Sequence, residues 1–250
     1  MEVYWMVVFF LFGVTFGSFF NVVGLRVPEK VSFITGRSYC PTCQYQLRWH
    51  ELLPVVSFCW QKGKCRHCRA KIPILYPVME FLTGFLLMYS YFWLGFTVEL
   101  MTALLLISML VVVSVSDIAY MLIPDYILLF FLPLLMICRI ISPLDPWYDA
   151  LLGAATGYLL VALIIFISRG GMGAGDMKLL FVLGLVLGWK HVLLTFFLAA
   201  LMGSIVGMIL KRLNKVASKQ PIPFGPYIAM AAVIAYFHGD WLITSYVALF

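Results

Sequence analysis

Leu100-Met-Thr-Ala-Leu-Leu-Leu-Ile-Ser-Met-Leu-Val-Val-Val-Ser-Val-Ser-Asp117 runs from Leu100 to Ser116 without a charge and then meets an aspartate. Its apolarity and length approach the ~20 residues that a bilayer-spanning helix requires. A similar arrangement recurs in Gly170-Gly-Met-Gly-Ala-Gly-Asp-Met-Lys178, where Asp176 stands between two strongly apolar segments. A carboxylate at membrane depth is costly unless it has a partner or a task. Asp117 is the best partner for Asp176, and these two acids are the sharpest chemical feature of the chain.

The rest of the sequence agrees with a membrane reading. Of 250 residues, 64% are hydrophobic and 11% charged, against about 25% charged in soluble domains. The net charge of +6 does not indicate a nucleic-acid partner, because most basic residues flank apolar runs, where they set topology. Eight spans are expected, at about 3–23, 76–95, 98–118, 125–142, 148–168, 177–189, 191–210 and 224–247. The sixth is short and weakly separated from the seventh by Trp189-Lys190-His191, so a seven-span count is the alternative. The first span has no basic n-region and no cleavage site of the A-x-A kind, and reads as a retained helix. With the N-terminus outside, only Arg139 and Lys190 among the lysines and arginines fall towards the outer face. That bias follows the positive-inside rule and brings Asp117 and Asp176 to the same cytoplasmic depth. The expected fold is an all-α polytopic integral membrane protein with about eight transmembrane helices and a small cytoplasmic zinc-binding insert between helices 1 and 2. Its expected divisions are a first helix (1–25), the insert (26–75) and a helical domain (76–250) carrying both aspartates.

The insert holds Cys40-Pro-Thr-Cys43 and Cys65-Arg-His-Cys68. Two C-x-x-C pairs can supply four thiolates to one tetrahedral zinc. Disulfides are disfavoured in a segment facing a reducing cytosol. Four thiolates close the coordination shell, so the role is structural, adding folding energy to an insert too small for a core of its own. His50 and His67 read as surface residues, and Cys59 and Cys138 as packing residues. Pro77 suits the first turn of the second span. Glu80, one turn on, reads as a helix-start acid or as a polar group facing the bundle interior. Pro124 ends the third span, and Asp125 reads as the N-cap of the fourth. The pairs Gly13/Gly17, Gly153/Gly157, Gly184/Gly188 and Gly203/Gly207 read as close helix packing. No internal repeat is evident.

Two carboxylates held close share a proton, so the ionised member can activate water while the other donates a proton. Gly171, Gly173 and Gly175 permit an unwound or closely approached backbone beside Asp176. Intramembrane acids also serve as proton relays, so the residues alone leave an aspartic peptidase and a proton-coupled transporter open. A zinc-organised scaffold without catalysis is a third reading.

The order of motifs resembles that of the type IV prepilin peptidases across nearly the whole chain. Gly17-Ser-Phe-Phe-Asn-Val-Val-Gly-Leu-Arg26-Val-Pro28 is similar to the opening motif of that family. Arg37-Ser-x-Cys40-Pro-x-Cys43, Leu53-Pro, Ser57-Phe and Gly63-Lys-Cys65-Arg-x-Cys68 resemble its zinc segment. Tyr76-Pro-x-x-Glu80, Asp117-x6-Pro124-Asp125 and Gly173-x-Gly175-Asp176-x-Lys178 resemble its second-helix entry and its two aspartate motifs. The resemblance is strongest to Gram-positive competence members. It implies a bacterial plasma-membrane enzyme in which Asp117 and Asp176 are the catalytic dyad. Members cut prepilin-like precursors after the glycine that ends a short basic leader at the cytoplasmic face. Many then methylate the new N-terminal amine with S-adenosylmethionine, a step to which Glu80 is assigned. No glycine-rich nucleotide loop marks the methyl-donor site, so that activity rests on the resemblance alone.

Overall fold

The charge-free runs fold as helices. In the computed structural model, which describes residues 1–33, 38–169, 171–213 and 222–249, all eight expected spans are helical. They are α1 (Glu2–Arg26), α3 (Leu75–Leu94), α4 (Val98–Tyr120), α5 (Asp125–Ile141), α6 (Asp149–Ser168), α7 (Ala174–Leu187), α8 (Trp189–Arg212) and α9 (Gly225–Val247). The short α2 (Val56–Trp60) lies in the polar insert. Five of them, α1, α4, α6, α8 and α9, are long and apolar enough to cross a bilayer by length and composition. Among the others, α3 dilutes its apolar residues with Glu80 and three tyrosines, and α7 has only 14 residues. Arg37, Gly170, Lys215 and Lys219, used above for motifs and topology, lie outside the described residues.

The chain forms two compact units, Met1–Val115 and Ser116–Phe250. In the first, α1 packs along α3. Gly13 and Gly17 make this possible: a Cβ at Gly13 would meet Gly84 Cα at 2.7 Å, and one at Gly17 would meet Glu80 Cα at 2.8 Å. Phe9 stacks on Tyr91 with centroids 4.9 Å apart.

In the second unit the shortest helix is the centre. α7 packs against α5, α6, α8 and α9. Leu179, Leu180, Leu183 and Val186 are fully buried. A helix enclosed on all sides has no polar face and need not match the bilayer thickness by itself. At the α6–α7 crossing, Gly153 and Gly184 bring the two backbones into contact, leaving no room for a Cβ on either. Small residues allow such approaches where lipid offers no hydrophobic drive to helix association. The uncertain boundary between the sixth and seventh spans falls at Gly188, whose φ of +82° ends α7 and starts α8. Trp189, Lys190 and His191 then open α8 instead of separating the helices.

Candidate active site

Both aspartates belong to the second unit. Asp117 sits in the last turn of α4, 6% exposed. The chain leaves that helix through Met121, at φ +53°. Met121 N–H donates to Asp117 O at 2.8 Å, and the Ser116 hydroxyl donates to Leu122 O at 2.6 Å. The Asp117 carboxylate accepts the N–H of Gly225, the first residue of α9, at 2.7 Å on Oδ2. It therefore caps a helix far away in sequence, where free N–H groups and the helix dipole favour negative charge.

Asp176 lies in the first turn of α7, 9% exposed. Its Oδ2 accepts the N–H of Gly173, the N-cap, at 3.3 Å. Each carboxylate is thus held at a helix start, and the two lie within electrostatic reach of each other. Two further contacts join the segments that carry them. A Cβ on Gly175 would come within 3.0 Å of Ile123 Cβ, so glycine allows α7 to approach the turn after α4. Lys178 Nζ also pairs with Asp125 Oδ2 at 2.6 Å.

Some expectations change here. Asp125 is not the N-cap of α5: Pro124 holds that position with no side-chain cap, and Asp125 is the first helical residue, paired with Lys178. That pairing also leaves Lys178 committed to Asp125 instead of Asp176. The glycine run is not unwound throughout, because the helix starts at Ala174; Gly175 serves close approach. Gly225 was not singled out from sequence. The available signal was a Gly-Pro step opening the last apolar run.

The four cysteines belong to the first unit. Their sulfurs all lie within 4.8 Å of one another. A tetrahedral zinc with Zn–S of about 2.3 Å sets S···S edges of about 3.8 Å, and Cys40 Sγ and Cys68 Sγ are 3.8 Å apart. The donor set fits a structural tetrathiolate site. The sequence showed no repeat, but the two knuckles are repeated in structure. Cys40 N–H bonds Tyr45 O, Gln44 N–H bonds Cys40 O and Leu47 N–H bonds Ser38 O. Cys65 N–H bonds Ala70 O, Arg69 N–H bonds Cys65 O and Ile72 N–H bonds Gly63 O. Gln44 and Arg69 both adopt positive φ, at 57° and 60°. Outside the two C-x-x-C pairs few residues match, which hid the repeat.

The backbone N–H of Cys43 lowers the Cys40 thiol to about 6, against the opposing effect of desolvation. Cys43, despite a lowering hydrogen bond from the Tyr45 backbone, is pushed up to about 12 by desolvation and by the thiols of Cys68, Cys40 and Cys65. Four thiolates cannot coexist without a cation, so metal uptake must release protons. Cys138 is buried as expected, whereas Cys59 is exposed and packs no core.

Glu80 is buried in the first unit. Its Oε2 accepts Val55 N–H at 2.7 Å, and the Ser18 side chain also hydrogen-bonds it. It therefore ties α3 to α1 and to the insert. Val55 has φ +59° and ψ −49°, a strained conformation for a β-branched residue. Nearby, Asn21 donates to Tyr76 O at 3.1 Å. The helix-start reading of Glu80 gives way to the interior polar one.

The fold and these sites define a multi-pass helical membrane protein with a thiolate metal site and two neighbouring buried aspartates. The family model for the bacterial peptidase A24 N-terminal domain matches residues 11–96. The model for the type IV leader peptidase family matches residues 104–208. A prepilin leader peptidase/N-methyltransferase of Bacillus subtilis is 44% identical, covering 97% of this chain and 98% of its own. Proteins of the same name from Pseudomonas aeruginosa and Aeromonas salmonicida are 35% and 34% identical, over 94% and 96% of this chain and 91% and 92% of theirs. No solved structure matches. The chain belongs to the type IV leader peptidase family.

Proposed function

We propose that this enzyme removes the leader from type IV prepilin-like precursors, competence pseudopilins among them, with Asp117 and Asp176 as an aspartic dyad. The observation that supports this best is the placing of two buried carboxylates at helix starts within each other's field. One ionised carboxylate takes a proton from water, and the resulting hydroxide attacks the carbonyl of the leader's last residue. The other, protonated, carboxyl supplies a proton to that carbonyl oxygen. The tetrahedral intermediate then collapses, the C–N bond breaks and the departing amine takes up a proton. The leader acid and the new N-terminal amine are the products.

The shared name of the relatives supports a second activity, N-methylation of that amine. S-adenosylmethionine supplies an electrophilic methyl group when bound. The amine must be neutral to accept it, and Glu80 is the acid assigned to this step. In this reading the insert at 26–75 is cytoplasmic and zinc-stapled, and the helical region 76–250 carries the cleavage chemistry. The N-terminus lies outside the plasma membrane, as the distribution of basic residues supports.

The test is co-expression with a prepilin-like substrate. Asp117→Asn and Asp176→Asn should each abolish cleavage, read by mass spectrometry of the substrate N-terminus. Wild-type processing by either variant would remove the dyad.

A further inference from the structure

The insert carries an open pocket of about 380 Å³, lined by Tyr45, Arg48, Glu51, Arg66 and His67. Its walls come from both cysteine hairpins and from the 3₁₀ turn Trp49–Leu52. Glu51 is only 7% exposed although the pocket opens to solvent. Its Oε2 accepts Arg48 N–H at 2.8 Å, and its Oε1 is unengaged among the described residues. Tyr45 and His67 face each other with ring centroids 4.9 Å apart and planes tilted by 42°. Arg66 also approaches His50 Nε2, at 3.5 Å.

This combination is not that of a plain anion site. A buried acid repels anions, and two rings give a flat apolar wall. Nor is it an apolar groove, since two guanidinium groups and a carboxylate line it. It suits a ligand with an aromatic base, a vicinal diol and a carboxylate. The rings offer a stacking surface for a purine, Glu51 accepts diol hydroxyls, and an arginine pairs with a carboxylate. The size is within the roughly 300–1,000 Å³ of small-molecule sites.

We infer that this pocket is where the chain binds S-adenosylmethionine, with the adenine against Tyr45 and His67, the ribose on Glu51 and the methionine carboxylate at Arg66. The inference rests on the methyltransferase reading and gives it a location. It also gives the metal a second use: the cysteine knuckles hold the walls that bind the methyl donor, and Arg66 and His67 lie between two of the ligands.

The test uses the full-length protein, zinc-loaded and active in cleavage, in detergent. S-adenosylmethionine labelled in its methyl group is photocrosslinked by ultraviolet light, and the labelled peptides are mapped. Saturable label within residues 45–67 is expected. Label found only elsewhere, with methyl transfer intact, overturns the pocket and spares the methyltransferase reading. Absence of any saturable binding overturns both. Calorimetry on Glu51→Gln, which keeps an acceptor for Arg48 N–H, should show Kd weakened by about tenfold, the scale of a hydrogen bond to a charged group, with zinc content unchanged. An unchanged Kd sinks the assignment, and if that variant loses zinc, the crosslink map on the native chain decides.

Discussion

Gly225→Ala should damage leader cleavage out of proportion to its size. A Cβ at Gly225 would lie 2.9 Å from Asp117 Oδ2 and 3.2 Å from both Asp117 Cβ and Cγ. The carboxylate must then rotate or the start of α9 must retreat, and either movement lengthens the 2.7 Å bond from Gly225 N–H. A hydrogen bond to a charged group contributes about 1.5–3 kcal/mol. Lost from the reacting geometry, that amounts to roughly a ten- to hundredfold fall in kcat/KM. Misplacing a catalytic group by about 1 Å costs a similar factor. Cleavage of a prepilin-like substrate in membranes, followed by mass spectrometry, gives the rate, and melting in detergent reports folding. Gly207→Ala is the control, because a Cβ there meets only Ile222 Cδ1, at 3.5 Å. Cleavage by the Gly225 variant at the control's rate would refute the claim that this N–H positions Asp117.

Other perturbations separate structure from chemistry. Asp125→Asn and Lys178→Met each break a half-exposed ion pair, and exposed pairs are worth about 0–1 kcal/mol. Each variant should retain cleavage within a few-fold of wild type; a hundredfold loss would give the pair a larger role. Chelating the metal, or Cys65→Ser at a thiol only 4% exposed, should release zinc and open the insert to proteolysis at its lysines and arginines. Reloading zinc near pH 7 should liberate protons, since Cys43 is otherwise pushed up to about 12; uptake without proton release would contradict the tetrathiolate site. Cys59, exposed on the insert, should react with a membrane-impermeant maleimide only after cells are opened. Labelling in intact cells would reverse the proposed orientation.

The sequence by itself determined the helices and the residues that carry the chemistry. Charge-free runs such as Leu100–Ser116 can satisfy their backbone in lipid only as helices, and an isolated Asp117 or Asp176 is conspicuous because charge is expensive there. The two C-x-x-C pairs were readable because metal chemistry constrains ligand type and spacing more tightly than packing does. Tertiary structure decided matters that depend on approach between distant segments. Ile123 against Gly175 and Asp125 on Lys178 join the two aspartate segments. Neither contact is visible in a linear pattern, because every glycine in an apolar chain looks equally suited to packing. Gly225 N–H on Asp117 and Val55 N–H on Glu80 are backbone donors, and almost every residue type carries one. For α7, its few residues made it the weakest span in the sequence, while its lack of any polar face made it the enclosed helix of its unit. Hydropathy records that a segment is apolar; whether it meets lipid or other helices depends on which neighbours pack around it.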